Sequence, residues 1–311
     1  MFDRTDISKQ TNIPVSVVMA TYNGAKYLAQ QIQSLLDQTV VPNEIIICDD
    51  ASTDHTLAII KQFSSHPQIK YNVNGTRLGV VGNFKKAVSL ATPGHYIALC
   101  DQDDIWLPEK IEKSIHALSI IDDGHTPAMI YSDLVLISSN EEVLNPSVDN
   151  ELGHDKYKHC LQTLLFGNFV LGCTVMMNMQ MRERFSDIPE NKSFNHDAWI
   201  TLIAFSFGKV SSLNRPYIKY RSHDNNVTFT NHRKKNRIAR IQNHLFSLFA
   251  KTDFLEEEII LVQTFYNQYQ DRLSTGEKKM LQNFINLSKR SYLQKKIAFE
   301  IAFKNNWIKR F

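Results

Sequence analysis

The stretch HYIALCDQDDIW, residues 95–106, poses the problem from which the fold can be read. Three acids, Asp101, Asp103 and Asp104, fall within four positions. They follow an apolar run and precede Trp106 and Pro108. Like charges this close repel, and strands are poor places for aspartate. A chain that ends a buried strand on carboxylates must have a use for them there.

Working outward, the same punctuation recurs. VSVVMAT, from Val15, is a β-rich run that leads into TYNG. NEIIICDDAST is apolar until Asp49 and Asp50. Between these runs, residues 25–38 carry Leu28, Ile32, Leu35 and Leu36 at helical spacing. Helices are also expected over TDHTLAIIKQF, with Ser52 or Thr53 as N-cap, over NFKKAVSLA, and over LPEKIEKSIHAL, with Pro108 near its first turn. IKYNVN reads as a short strand. Strands that are apolar throughout and alternate with helices form a parallel sheet covered on both faces. Ligands of such sheets bind beyond the carboxyl ends of the strands, which is where TYNG, DDAST and DQDD fall. Their mutual repulsion points to a cation that joins the carboxylates.

After Leu118 the pattern loosens. AMIYSDLVLIS, LLFGNFVLGCTVMMN and GKVSSLNRPYIKYR read as further strands, and HDAWITLIAFSFG as a helix. Residues 160–181 hold no charge, but Gln162, Thr163, Gly167, Asn168, Gly172, Thr174 and Asn178 interrupt them. They read as a short helix, a turn at FGN and a buried strand, not as a membrane span. From Asn231 on the chain reads as nearly all helix, with a break at STG.

Composition narrows the classes. At 311 residues and 43% hydrophobic, the chain can bury one large domain with an appendage. The polar start MFDRTDISKQ has no apolar core of a secretory signal. Cys48, Cys100, Cys160 and Cys173 form no Cys-x-x-Cys pair and read as small hydrophobes of a reducing compartment. From residue 230 to the end there are 16 Lys plus Arg against 7 Asp plus Glu; the residues before carry 19 against 25. A basic tail on an acidic body implies two parts with different partners.

The ordered motifs TYNG, DDASTD, DQD and HDAW resemble the family 2 glycosyltransferases of the GT-A fold, over roughly residues 13–229. CDQDDIWLPEK, HDAW and YRSHDNNVT resemble the bacterial rhamnosyltransferase-like branch. DDAST stands where the family commonly has Asp-Asp-Gly-Ser-Thr, and HDAW where it has Glu-Asp. The resemblance implies an α/β GT-A domain over residues 1–229, with a mostly parallel sheet and helices on both faces. Its nucleotide-sugar half is about 13–118 and its acceptor half about 119–229. Residues 230–311 form a helical extension. The activity implied is inverting, metal-dependent transfer from a nucleoside-diphosphate sugar to a cell-surface polysaccharide or a lipid-linked glycan. The donor expected first is dTDP-rhamnose, then a UDP-sugar. The place expected is the cytoplasm or the inner face of the membrane, with no nucleic acid as partner.

Residue by residue, the resemblance puts Thr21, Tyr22, Asn23, Asp49 and Asp50 around the nucleoside, with Asp50 on the base edge and Tyr22 beside the ring. Asp101 and Gln102 reach the ribose or the metal's waters. Asp103 holds Mg²⁺ or Mn²⁺, because negative charge builds up on the departing diphosphate. Glycines 75, 79 and 82 allow close backbone approach to phosphate, and Arg77 meets the diphosphate. Asp197 is the base that takes the acceptor proton, with His196 tuning it; a carboxyl of ordinary pKa needs burial for that task. His223 completes the metal shell, and Arg221 faces phosphate. Plainer readings stand beside these. Asp50, Asp104 and Asp197 can cap helices, Tyr22 can pack, and Arg77 can be a surface residue.

Two rival functions remain at this level. One is a nucleotidyltransferase or phosphohydrolase, which leaves HDAW unexplained. The other is a degenerate sugar-nucleotide binding module, which needs no base. In the tail, Leu293, Ile297 and Ile301 recur at i, i+4 and i+8 among Lys295, Lys296, Lys304, Lys309 and Arg310, with Trp307 and Phe311 following. That pattern fits an interfacial helix and a packed one equally.

Overall fold

A computed structural model of the chain describes residues 13–189, 195–223 and 254–306. Two compact units emerge. One runs through Val148 and resumes over Val170–Arg221; the other joins Asp149–Phe169 to the chain from Ser222 on. Residues 149–169 thus group with the C-terminal helices, and the first unit ends at Arg221.

The first unit alternates strand and helix: β1 (Val15–Thr21), α1 (Leu28–Leu36), β2 (Glu44–Asp49), α2 (Thr56–Phe63), β3 (Ile69–Val73), α3 (Gly79–Leu90) and β4 (Tyr96–Cys100). Then come β5 (Ile105–Trp106), α4 (Lys110–Ile121), β6 (Ala128–Ile137), β7 (Val143–Asn145), β8 (Met176–Met177), α5 (His196–Phe207) and β9 (Lys209–Arg221). Among the described residues the strands form one sheet in the order β3-β2-β1-β4-β8-β6-β9-β5, with β7 beside β6. β1, β2, β3 and β4 are mutually parallel, as are β6 and β9. β8 is antiparallel to both of its neighbours. β2 and β4 are buried at every position, so both faces of the sheet are covered there. Register aligns the carboxyl ends: Thr21 lies opposite Asp49, and Met19 opposite Cys100. The loops TYNG, DDAST and DQDD therefore leave the sheet together.

Three local expectations change. Helix α3 starts at Gly79, four residues before NFKK, because the Asp50 carboxylate accepts the backbone N–H of Leu78 (2.7 Å) and Gly79 (2.8 Å). Asp50 therefore caps α3 and not its own following helix. Helix α2 has no cap from Ser52 or Thr53; Asp54 accepts the Thr56 N–H at 2.9 Å instead. The buried strand expected within residues 164–178 shrinks to Met176–Met177, because Gly172–Thr174 form a 3₁₀ turn.

The second unit holds α6 (Glu256–Tyr269), α7 (Thr275–Ile285) and α8 (Tyr292–Asn305). The STG break is the start of α7, where Ser274 and Glu277 form a reciprocal cap. Ser291 and Gln294 cap α8 in the same way. Phe166 meets Phe284 at 5.0 Å and Phe299 at 5.8 Å edge-on, and Tyr157 meets Phe303 at 4.5 Å. These aromatic contacts fasten residues 157–169 to α7 and α8. No described helix is long and apolar enough to cross a membrane.

Candidate active site

The first two loops lock each other. Thr21 Oγ1 donates to Asp49 Oδ1 at 3.0 Å, and Asp49 also accepts the Ser52 N–H (2.9 Å) and hydroxyl (2.5 Å). Asn23 lies in the left-handed region, φ 48°, which its short polar side chain tolerates. Its N–H donates to Ser52 Oγ, and its Oδ1 accepts the Thr53 N–H. Gln102 reaches across from the β4 loop. Its amide nitrogen donates to Tyr22 O at 3.0 Å and its oxygen accepts the Tyr22 N–H at 2.9 Å. A Cβ at Gly24 would collide with that Gln102 side chain, so TYNG needs its glycine.

Asp50 is buried and busy with Leu78, Gly79 and Asn74. The glycines of the 74–84 loop mostly enter α3, and the α3 N–H groups expected near phosphate are given to Asp50. Arg77 is exposed and stacks its guanidinium 3.8 Å over the Tyr22 ring.

The acids of DQDD occupy two depths. Asp101 and Asp103 are half-buried, and Asp104 is fully buried. Burial pushes the Asp101 carboxyl up to about 7, and the negative charges of Asp103 and Asp197 add to the rise. Burial, with Asp103 and Asp101 beside it, pushes Asp104 well above the usual carboxylate range. Asp101, Asp104 and the Cys173 thiol offer ligand atoms within 4.8 Å of one another. Burial holds Cys173 protonated, far above an ordinary thiol. The usable donors are therefore hard carboxylate oxygens, which suit Mg²⁺ or Mn²⁺.

Arg221 corrects its expected role. It is 1% exposed, and its groups are committed inside the protein. Its backbone N–H donates to Asp104 Oδ1 (3.2 Å) and its Nε to Asp103 O (3.0 Å). Its two terminal nitrogens donate to Ser139 O and Gln30 Oε1. It holds the acidic loop from behind and does not face phosphate.

Asp197 sits in the first turn of α5, half-buried. Its Oδ1 accepts the Ala198 N–H at 2.7 Å and its Oδ2 the Gly172 N–H at 3.3 Å. Burial still prevails and raises its carboxyl to about 6. The Asp197 charge acts on Asp101, so the two carboxylates lie within electrostatic reach of each other. His196 lies against the rings of Phe84 (4.3 Å) and Phe185 (6.0 Å). Burial lowers it to about 4, so it is neutral at pH 7. His223 belongs to the second unit. The rest of its motif, residues 224–228, lies outside the described residues.

Sequence reading passed over three residues beside these acids. Asp104 looked like a helix cap, Cys173 like a hydrophobe, and Gly172 like part of a strand. The signal available for Asp104 was its place among three acids; Gly172 and Cys173 carried none.

Comparisons with known proteins bear on the family and the fold. Residues 16–168 match the family described as Glycosyl transferase family 2. The dTDP-rhamnosyl transferase RfbG of Shigella flexneri is 29% identical over 226 residues, 68% of this chain and 74% of that protein. The Escherichia coli UDP-Glc:alpha-D-GlcNAc-diphosphoundecaprenol beta-1,3-glucosyltransferase WfgD is 27% identical over 217 residues, 69% and 79% of the two chains. EpsE of Bacillus subtilis is 43% identical over 103 residues, 32% of this chain and 37% of its own length. A crystal structure of S. aureus TarS 1-349 with UDP-GlcNAc superposes with a TM-score of 0.52 at 18% identity, covering 94% of this chain and 80% of that one. A parallel sheet whose strand ends gather TYNG, DDAST and DQD has a match in family and in fold, and residues 16–168 of the chain belong to glycosyltransferase family 2.

Proposed function

We propose that the protein transfers a sugar, with inversion, from a nucleoside-diphosphate sugar to a growing cell-surface polysaccharide or lipid-linked glycan. One observation carries this: Asp197, in the first turn of α5 and raised to about 6, acts by its charge on Asp101 of the β4 loop. A base that must accept a proton near neutral pH needs such a pKa. A binding module does not need it, and a nucleotidyltransferase gives it no role.

The chemistry divides among the residues. An acceptor hydroxyl attacks the anomeric carbon while Asp197 takes its proton. The bond to the diphosphate breaks, and its electron pair leaves with the nucleotide. Asp103, with Asp101 nearby, would hold Mg²⁺ or Mn²⁺, which would supply positive charge to that leaving group. Thr21, Asn23 and Asp49 shape the nucleoside pocket. Tyr22, already under Arg77, offers a flat face for the base. Asp50 spends its carboxylate on α3, and a base-edge bond would use a remaining lone pair.

For the donor, dTDP-rhamnose stands first, in keeping with RfbG. A UDP-sugar stands second, as WfgD's name and TarS bound to UDP-GlcNAc suggest. WfgD's diphosphoundecaprenol acceptor favours a lipid-linked acceptor here too, and with it work at the inner face of the membrane. A donor screen tests the reading, measuring release of UDP, dTDP or GDP with Mg²⁺ or Mn²⁺. Slow hydrolysis of one donor is expected even without acceptor. If UDP displaces a bound nucleotide far better than dTDP, the rhamnose choice falls and the transferase stands. No release from any donor, with either metal, would sink both.

A further inference from the structure

Helix α3 buries one face, made of Asn83, Phe84, Ala87 and Val88. All but Asn83 are apolar, as packing on a sheet requires. Asn83 is 2% exposed. Asparagine is a poor helix former, and a buried amide costs free energy unless it is hydrogen-bonded. A leucine would serve packing alone. The Asn83 carboxamide is engaged at both ends. Its nitrogen donates to Cys48 O at 2.8 Å and to Thr21 O at 3.4 Å, and its oxygen accepts from Asn74 Nδ2 at 2.9 Å. Asn74 follows β3, so one amide joins the carboxyl ends of β1, β2 and β3. Asn74 carries the link further: its side chain donates to Asp50 Oδ1 at 3.1 Å, and its backbone N–H to Asp49 O at 2.8 Å. Thr21, Asp49 and Asp50, the residues expected around the nucleoside, therefore all lie within two hydrogen bonds of Asn83.

We propose that Asn83 is a positioning residue: its carboxamide fixes the loops that hold the nucleoside, without itself meeting the nucleotide. The inference rests on the proposed function, which places a nucleotide at these strand ends. The Asp50 N–H already pairs the ends of β1 and β2 by donating to Thr21 O at 2.8 Å. Asn83 adds helix α3 and Asn74 to that pair. Asp50 in turn caps α3 through the N–H groups of Leu78 and Gly79. The contacts close a ring, from α3 to the strand ends through Asn83 and back to α3 through Asp50. A closed ring of hydrogen bonds holds the Asp50 carboxylate in one orientation. A pocket ordered before its ligand arrives loses less on binding, so the ring acts on nucleotide affinity.

The test is calorimetric titration of UDP, dTDP and GDP, each with Mg²⁺, into the full chain and its variants. Asn83→Leu keeps the buried face of α3 filled. It should weaken the nucleotide that the wild type binds by about tenfold. Donor KM should rise to match, with turnover at saturation within about twofold of wild type. Glu44→Gln, at the amino end of β2, is the control for stability: it should lower the melting temperature and leave nucleotide affinity unchanged. Asn74→Ala removes the link to Asp50 and spares the two carbonyl bonds, and should weaken binding by about threefold. Combined with Asn83→Leu, it should weaken binding by less than the product of the two losses. Wild-type affinity in Asn83→Leu overturns the inference. So does a loss of turnover without a loss of affinity, or an equal loss of affinity in Glu44→Gln, since either makes Asn83 a residue of the fold alone. If Asn83→Leu does not fold, Asn74→Ala decides, and unchanged affinity there overturns the inference. If the wild type binds a nucleotide but transfers no sugar from any donor, the enzyme reading fails and the positioning role survives. If it binds none of the three, both fall.

Discussion

The two ends of one sheet treat their acids in opposite ways. At the amino end of β2, Glu44 is 2% exposed, opposite Ser16 of β1. Burial alone would raise its pKa, but donors outweigh it and hold the carboxyl at about 2. They are Lys70 Nζ (2.6 Å), Ser16 Oγ (2.5 Å), and the Thr92 N–H (2.6 Å) and hydroxyl (2.9 Å). At the carboxyl end, the acids beyond β4 face each other and Asp197, and burial carries Asp101 to about 7 and Asp197 to about 6. Burial is common to both ends, so the supply of donors decides the sign. A carboxylate saturated with donors holds structure. Carboxylates that face other carboxylates hold charge in reserve for a cation or a proton.

Breaking the reserve should abolish function first. Asp103→Ala is expected to remove transfer altogether and to weaken metal-dependent nucleotide binding, read by titration with and without EDTA. Full turnover in EDTA would remove the cation from the comparison. Asp197→Asn comes next, with transfer lower by about 10²–10⁴-fold and donor binding kept. Its melting temperature should hold, because no donor-rich network is lost. In the wild type, transfer should fall as pH drops through about 6, since the base works only when deprotonated. Wild-type turnover by Asp197→Asn would move the base elsewhere.

At the other end the expected cost is stability. Glu44→Gln should destabilise the fold by roughly 2–3 kcal/mol, the scale of hydrogen bonds to a buried charge, and leave transfer per folded molecule intact. The sign with pH follows from a depressed pKa. The contribution is fully present above the ordinary value of 4.5 and is lost as pH falls through about 2. Unfolding of both forms across that window checks it. A gap between them that ignores pH would mean that shape, not charge, matters at this site.

The comparison also explains what could be read in the sequence. TYNG, DDAST and DQDD mark strand ends because apolar runs stop there, a local signal. HDAW was legible through resemblance. The donors that separate Glu44 from Asp104 were not legible, because they come from far along the chain. Arg221 meets Asp104 across 117 positions, and Asp50 caps α3 from 28 positions away. A glycine-rich stretch read locally is a loop; a distant carboxylate turns it into a helix. Ala51 shows the converse. It keeps φ at 59°, the left-handed region that glycine occupies freely, although the residue is alanine. That conformation costs about 1–2 kcal/mol. The loop geometry is thus retained where the residue is not.

The smallest expected effect is the most discriminating, because it alters the donor supply of Asp197 without touching the acid. Gly172 donates its N–H to Asp197 Oδ2 at 3.3 Å. A Cβ there would stand 2.9 Å from His196 Nε2 and 3.4 Å from Asp197 Cβ. The His196 ring is backed by Phe84 and has little room to give. Gly172→Ala should therefore push the amide away from the carboxylate. Losing a donor to its charged form raises an acid's pKa, so the acid limb of transfer should move above about 6, toward neutral pH. A displacement of about one pH unit, worth about 1.4 kcal/mol, would lower turnover about twofold at pH 7 and about tenfold well below pH 6, with nucleotide affinity unchanged. The pH–rate profile separates the causes. A uniform loss with an unmoved limb would mean that the new methyl disturbs the acceptor's path. A limb that moves shows that the Gly172 backbone donor sets the pH at which the base can work.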